Sequence, residues 1–519
     1  MGGTMAIVIL YFILVFGVAL YVHSKQHKKT AEDYFLASRS MGSVVLAGTL
    51  FFTMMSGTLY FGGSGWGYKT GMGFSGAFMV GSTLFVPMIY ILGYRAWLLG
   101  RKFGYISPAE IVGARFESNT ARVLFSLFSI IYVIPYLSIQ SIGAGHALSG
   151  LTQGAIPFNV GATIFTIVLT AYVLVGGFRS VAWTDLIQGI LLVVFLFITF
   201  LMIVGAAGGF AGGVQKIARD APELLMRPGG GGYFTPKIWV SWLALILFNA
   251  GVQPQIFQRY LAARSHHSLK TAFLFYGIMN IIVVSMSILG GAFGRIAKPG
   301  LQVADQIIPS FLASAASPIF AALVMSGALA AIMSTADSQL LTLSSLWTRD
   351  FYLVVKPQTS DERQTSMGRW AVVVFAVLGL LFTYTNPPFI AIVALNAYSG
   401  IAILWPAMMA SLFWKRANKQ GIVASILGSQ ILHAGFVLKL LPASLLFGFT
   451  PVIPSLVVAV GLLLVVTYLT PPPPNALVEK FFGFLDPIFT PRVEVAMYTR
   501  ETETRKGALG FLRGRLARS

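Results

Sequence analysis

Cysteine is missing from all 519 residues, so disulfides, thiolate nucleophiles and Cys-based metal sites are excluded. Charge is scarce as well: Asp, Glu, Lys and Arg make up 10% of the chain, too little for the surface of a soluble enzyme of this length. The six histidines are scattered, and only His266 and His267 are neighbours. No Ser–His–Asp set, HExxH helix or phosphate-binding loop occurs, so nothing points to an enzyme. Acidic residues number only 17 against 36 Lys and Arg, a net charge of +19. In a membrane protein such an excess reflects the positive-inside bias and anionic lipid rather than nucleic acid.

What the chain has in abundance is apolar length. Hydrophobic residues make up 56% and the mean hydropathy is +0.78. Runs of about 20 apolar residues recur, each enough to cross a bilayer core of roughly 30 Å. They predict spans at 5–22, 43–68, 74–99, 121–149, 157–176, 182–205, 238–260, 272–293, 319–347, 370–384, 390–413, 421–441 and 451–470. The first run lacks a basic leader and reads as a span rather than a cleaved signal. With thirteen spans the loops alternate, and one set holds 28 Lys/Arg against 8 in the other. That bias puts the N-terminus outside and the C-terminus in the cytoplasm. The expectation is an all-α polytopic protein of the plasma membrane, with lipid as its environment and no obligate protein partner evident.

One stretch organises the rest. Residues 321–352, AALVMSGALAAIMSTADSQLLTLSSLWTRDFY, begin as an ordinary apolar helix and then turn polar. At 100° per residue, Ala331, Ser334, Thr335, Ser338, Thr342 and Ser345 share one stripe, with Asp337 at its edge. Ser and Thr glue membrane helices together, which is the plain explanation. Hydroxyls beside a carboxylate also suit a hard cation such as sodium. An intramembrane Asp is expensive unless it meets a cavity or a partner.

Two spans look interrupted. The second has glycines at 57, 62, 63, 65 and 67 beside Ser56, Thr58 and Ser64; these serve close packing, or unwinding that frees carbonyls. The seventh carries Asn249-Ala250-Gly251-Val252-Gln253-Pro254, and Pro254 removes a backbone donor. The two are five spans apart and so cross in opposite senses, as a five-plus-five inverted repeat with broken helices requires. Met55, Ser334 and Asn249 each lie about 12 residues, roughly 18 Å, from an end of their spans, near mid-membrane. The predicted parts are an extra N-terminal helix and loop (1–42), a first repeat (43–206), an extracellular loop (207–237) and a second repeat (238–414). Two peripheral helices (415–470) and a basic cytoplasmic tail (471–519) complete them. A short amphipathic helix is expected in 208–232, and Pro108 stands where a cytoplasmic helix would start.

Four segments, FGGSGWGYKTG (61–71), GGFRSVAWTDLIQG (176–189), GVQPQIFQRYLAA (251–263) and AAIMSTADSQLL (330–341), resemble the sodium:solute symporter family, with proline, pantothenate, monocarboxylate and sugar carriers among its members. The resemblance covers roughly residues 5–470 and implies ten core spans in two inverted repeats. It implies a sodium site from the carbonyls of Phe52, Met55 and Ala331 and the hydroxyls of Ser334 and Thr335. It also implies a second cation or proton site at Asp185, Asp337 and Ser338, although the family's hydroxyl position is here Asp337. Met55-Ser56-Gly57 is similar to the Met-Ser-Gly of proline carriers, which have Asp where this chain has Met54. Leu59, Phe78 and Gly81 stand where sugar carriers have polar groups, and such a lining cannot satisfy a sugar's hydroxyls. IPYLSIQ (134–140) is loosely similar to the monocarboxylate carriers.

The implied function is a sodium-coupled secondary active symporter, with sodium co-transported, importing a small carboxylate or amino acid by alternating access. The solute is expected between the broken helices, with Ser56, Gly57 and Thr58 on one side and Asn249 and Gln253 on the other. Tyr136 and Gln140, four apart on one helix face, form a wall or simply a helix–helix contact. A proton-coupled carrier of the same fold is the alternative, and a membrane sensor built on such a domain is another. The tail of about fifty residues is short for a signalling module.

Overall fold

The computed structural model of the chain describes residues 2–25, 30–152, 154–385 and 390–489. It is helical throughout; among the described residues the only β contact is a bridge between Met41 and Ala263. Two compact units are present, 1–472 and 473–519. In the second, the described residues form helical turns at Asn475–Val478, Glu479–Gly483 and Phe484–Phe489. The basic segment from 500 onward lies outside the described residues.

The first unit begins with α1 (Gly2–Ser24) and the short α2 (Ala31–Leu36). A broken span follows: α3 (Ser43–Met54), a π-turn at Thr58–Gly63 and α4 (Ser64–Thr70), bent by 59°. Next come α5 (Met72–Phe103), α6 (Pro108–Arg115), α7 (Asn119–Leu151) and α8 (Phe158–Ala206). The loop helix α9 (Gly209–Asp220) precedes a second broken span, α10 (Pro236–Val252) and α11 (Pro254–Ala262), bent by 44°. Beyond it lie α12 (His266–Ala297), α13 (Ile307–Ala315) and α14 (Pro318–Trp347). A π-turn at Thr348–Tyr352 and α15 (Leu353–Val355) prolong α14. The unit ends with α16 (Asp361–Tyr384), α17 (Ile390–Ala402), α18 (Trp405–Phe413), α19 (Lys419–Val437) and α20 (Val452–Leu469).

Among the described residues ten helices are long and apolar enough to cross a membrane, or twelve if each bent pair is one span. The 49 residues of α8 would measure about 73 Å at 1.5 Å each, more than twice a bilayer core. They are not one continuous helix. Gly177 has φ 56° and ψ −161°, and a Cβ there would come within 2.8 Å of Tyr34. The two runs read at 157–176 and 182–205 meet at this glycine.

The glycines after Ser56 serve packing more than unwinding. The helix breaks at Met55 (φ −86°, ψ 68°), and the glycine run itself is helical. A Cβ at Gly67 would lie 1.9 Å from the Ile288 carbonyl, so α4 meets α12 backbone to backbone. At the second break, Gln253 (φ −56°, ψ 121°) is extended because Pro254 cannot continue the hydrogen-bond ladder.

At the core lies α14. Its apolar window is 78% buried against 28% for α1, and it packs on α8, α7, α16, α1 and α3. The end of this span is clasped. Ser107 and Glu110 form a capping box around Pro108 at the start of α6, and Glu110 Oε1 pairs with Arg349 at 2.7 Å and Arg122 at 3.0 Å. Asp350 takes Arg122 Nε at 2.8 Å and Ser107 Oγ at 2.9 Å. Burial pushes the Glu110 carboxyl up, but Arg349 and Arg122 outweigh it and hold it below its ordinary 4.5. Its stabilisation is therefore complete above about pH 4.5 and lost as the pH falls through the lower folded value. Glu110→Gln should leave two half-buried guanidinium groups, Arg122 and Arg349, each short of one charged partner, and cost about 1–3 kcal/mol. The check is thermal unfolding in detergent at pH 7, where the variant melts well below the parent.

Candidate ion and solute site

The last turn of a helix leaves its carbonyls without N–H partners, and in a membrane something must meet them. At the end of α3 that partner is α14. Ser334 Oγ lies 3.2 Å from the Phe52 carbonyl and 3.1 Å from that of Ala331. Thr335 Oγ1 lies 3.0 Å from the Thr53 carbonyl and 3.3 Å from that of Ala331. Five oxygens thus converge: three carbonyls and two hydroxyls, all buried. Each hydroxyl has one proton for two carbonyls, so the carbonyls together hold more acceptor capacity than the pair can fill.

Four of the five residues expected here (Phe52, Ala331, Ser334, Thr335) are brought together. Met55 closes the helix by donating its N–H to Phe52 at 3.1 Å, and among the described residues no hydrogen bond joins its carbonyl to α14. Thr53 supplies the additional carbonyl. The helix-end rule was the signal that could have found it, since the carbonyls of a last turn lack their usual intrahelical N–H partners.

One turn along α14 lies a second polar cluster. Asp185, Asp337 and Ser338 fall in one network, as expected, but a resident cation occupies it. Arg259, from α11, pairs with Asp185 at 3.0 Å and donates to Ser338 Oγ at 2.5 Å and Thr49 Oγ1 at 3.1 Å. Thr49 and Thr53 donate to Asp185 Oδ2 at 2.5 and 3.2 Å. Asp337 accepts from Tyr172 at 2.5 Å and from Ser338 at 3.1 Å. Asp185, Asp337 and Ser338 were expected to hold a second cation or a proton; in the structure a guanidinium already pairs with Asp185. Arg259, Thr49 and Tyr172 were missed. Arg259 stands in GVQPQIFQRYLAA, and an arginine within an apolar span was itself the signal.

The expected solute residues divide. Ser56, Gly57, Tyr136 and Gln140 come together where the α3 break faces α7. A Cβ on Gly57 would lie 2.8 Å from Ile332 and 3.6 Å from Gln140 Oε1. The Tyr136 hydroxyl is within hydrogen-bond reach of Ser56 and Tyr398, and its ring stands edge-on to Tyr398 at 4.8 Å. Among the described residues Gln140 Oε1 has no hydrogen-bond partner, a buried spare acceptor beside the break. Asn249 and Gln253 sit at the other break, where Asn249 Oδ1 is also unpartnered among the described residues and Gln253 Oε1 accepts from Gln255 at 3.4 Å. Among the described residues no hydrogen bond links these two to the first four. The Thr58 side chain lies outside the described residues. Tyr398, Ile332 and Trp405 were not anticipated; Trp405 lies 3.5 Å from where a Cβ on Gly251 would sit.

Residues 34–428 match the model of the sodium:solute symporter family. The chain belongs to that family. It is a multi-pass membrane transporter coupled to sodium, not an enzyme. It is 30% identical to the sodium/pantothenate symporter of Escherichia coli K12 over 455 residues, 86% of this chain and 93% of that one. The high-affinity proline transporter PutP of Bacillus subtilis is 28% identical over 481 residues, 89% of this chain and 98% of that one. Among solved structures, a Na+-coupled sialic acid symporter, substrate-bound and outward-open, superposes with a TM-score of 0.75. At 19% identity, over 91% of this chain and 98% of that one, the likeness is one of fold.

Proposed function

We propose that the chain imports a small carboxylate or amino-acid-type solute with sodium, by alternating access through thirteen spans in a five-plus-five inverted repeat. The observation that carries this reading is the cluster of five oxygens at the α3–α14 crossing. A sodium ion stripped of water needs about five or six oxygens, which Phe52, Thr53, Ala331, Ser334 and Thr335 offer, with the Met55 carbonyl at the break as a sixth. The break in α8 at Gly177 supports the count of thirteen. An odd number puts the termini on opposite sides, and the Lys/Arg bias supports an outer N-terminus.

The solute class is supported by chemistry on both sides. Pantothenate and proline, named in two relatives, both carry a carboxylate. The wall where a sugar would need polar groups is apolar: Phe78 packs on Phe74 at 5.3 Å, and Gly81 abuts Ile246 and Leu243. Uptake into proteoliposomes of labelled pantothenate, proline, alanine, lactate, acetate and galactose, with and without an inward sodium gradient, tests the reading. Sodium-driven accumulation of a carboxylate supports it, and accumulation of galactose alone overturns the class.

Two variants test the sites. Ser334→Ala with Thr335→Ala removes two ligands worth about 1–2 kcal/mol each, so half-maximal uptake should need at least about tenfold more sodium. Wild-type sodium dependence in the double variant would put the site elsewhere. For the solute, a single cysteine at Ser56 or Gln253 should be protected from thiol reagents by the transported molecule; labelling unaffected at saturation means the solute binds elsewhere.

A second coupled charge is a specific reading of Asp337. Two carboxylates and one guanidinium leave one negative charge in a low-dielectric space. We assign it to Asp337 with Asp185 and Ser338 around it, as the place of a proton or a second sodium. Asp337→Asn should then change the ion-to-solute ratio or flatten the pH dependence of uptake while solute affinity stays nearly intact. The same ratio and pH profile as the parent would make Asp337 a structural acceptor for Tyr172.

A further inference from the structure

Thr53 faces two ways. Its carbonyl accepts from Thr335 Oγ1 at 3.0 Å, inside the five-oxygen cluster. Its hydroxyl lies 3.2 Å from Asp185 Oδ2 and 3.1 Å from Ser338 Oγ, inside the ion-pair network. Arg259 is the hub of that network. From α11 it reaches Asp185 on α8, Ser338 on α14 and Thr49 on α3, and donates to its own helix at the Gln255 carbonyl at 2.8 Å. One guanidinium, 1% exposed, thus ties four helices together.

Two of those helices, α3 and α11, are the half-spans that follow or precede a break; the other two are long spans. The breaks are where the half-spans can swing. A swing of α3 or α11 away from α8 and α14 must separate Arg259 from Asp185 or from Ser338, and a buried ion pair has no intermediate state that is cheap. The contact is therefore either made or broken.

We propose that Arg259, Asp185, Ser338 and Thr49 form a latch that keeps the inner pathway closed, and that Thr53 couples this latch to the ion cluster. With an ion on its carbonyl, Thr53 is held against α14 by a charge, and its hydroxyl stays aligned on Asp185 and Ser338. Without the ion, the Thr335 hydroxyl is the one tie on that carbonyl among the described residues, and the latch opens more easily. The latch itself follows from the network; only its sodium dependence rests on the sodium reading of Ser334 and Thr335.

The natural absence of cysteine makes the test direct. Ser345, on α14 two turns beyond Ser338, is buried and is replaced by the single reporter Ser345→Cys. Its reaction with a membrane-impermeant maleimide is followed in vesicles of both orientations, with and without sodium. Arg259→Gln alone strands a buried carboxylate, so Arg259→Gln with Asp185→Asn is the variant used. In sodium, that pair should raise labelling from the inner side about tenfold, a shift of population toward the open state. Thr53→Val should do the same and abolish the difference between sodium and no sodium, and Thr53→Ser should restore it. Labelling of the neutralised pair at the parent's rate in sodium overturns the latch. A Thr53→Val variant that keeps the parent's sodium effect overturns the coupling. If sodium has no effect on the parent while the neutralised pair still labels faster, the latch stands and the sodium reading of the cluster fails.

Discussion

A helix that ends inside the buried core of a membrane protein leaves carbonyls that neither water nor lipid can satisfy, and this constraint governs the contact of α3 with α14. At Met55 the chain leaves α3, and the carbonyls of Phe52 and Thr53 open toward α14. From α14 the Ser334 and Thr335 hydroxyls meet them there. That is why α14 turns polar in its second half and why it must be enclosed on every side. The close contact of α4 with α12 at Gly67 anchors the second half of the broken span backbone to backbone.

The ion-pair network answers the same constraint with charge. Burying a guanidinium and a carboxylate costs several kcal/mol each unless their remaining donors and acceptors are filled. Arginine's fixed fork of donors allows one side chain to serve several acceptors at once. Here it draws Thr49, Ser338 and Asp185 from three helices around one point. A lysine could not span them. Because Thr53 belongs to both clusters, the uncharged and charged solutions to the problem are mechanically joined.

Much of this was legible in the chain. Apolar run length predicted membrane-crossing helices, and the runs read at 157–176 and 182–205 flank Gly177, where α8 departs from helical geometry. The hydroxyl stripe picked out Ser334 and Thr335, and Pro254 marked the second break. Other points were not legible. The carbonyl that meets Thr335 is that of Thr53, because the exact turn at which α3 opens depends on how it crosses α14. Arg259 was visible as a residue in a motif, but its partner was not. Among the described residues Asn249 and Gln253 share no hydrogen bond with Gln140, since position along a span says nothing about the direction in which a side chain points.

By itself the sequence determined the class of protein, its division into membrane-crossing apolar helices and, at Pro254, the second break. Those properties are local: hydropathy acts over about 20 residues, and Gly and Pro act on the adjoining turn. Only the tertiary structure decided which oxygens meet. Ser334 and Phe52, and Thr335 and Thr53, are each 282 residues apart in the chain. Their contact depends on the angle and register at which two helices cross, and that is set by the packing of all their neighbours rather than by either segment.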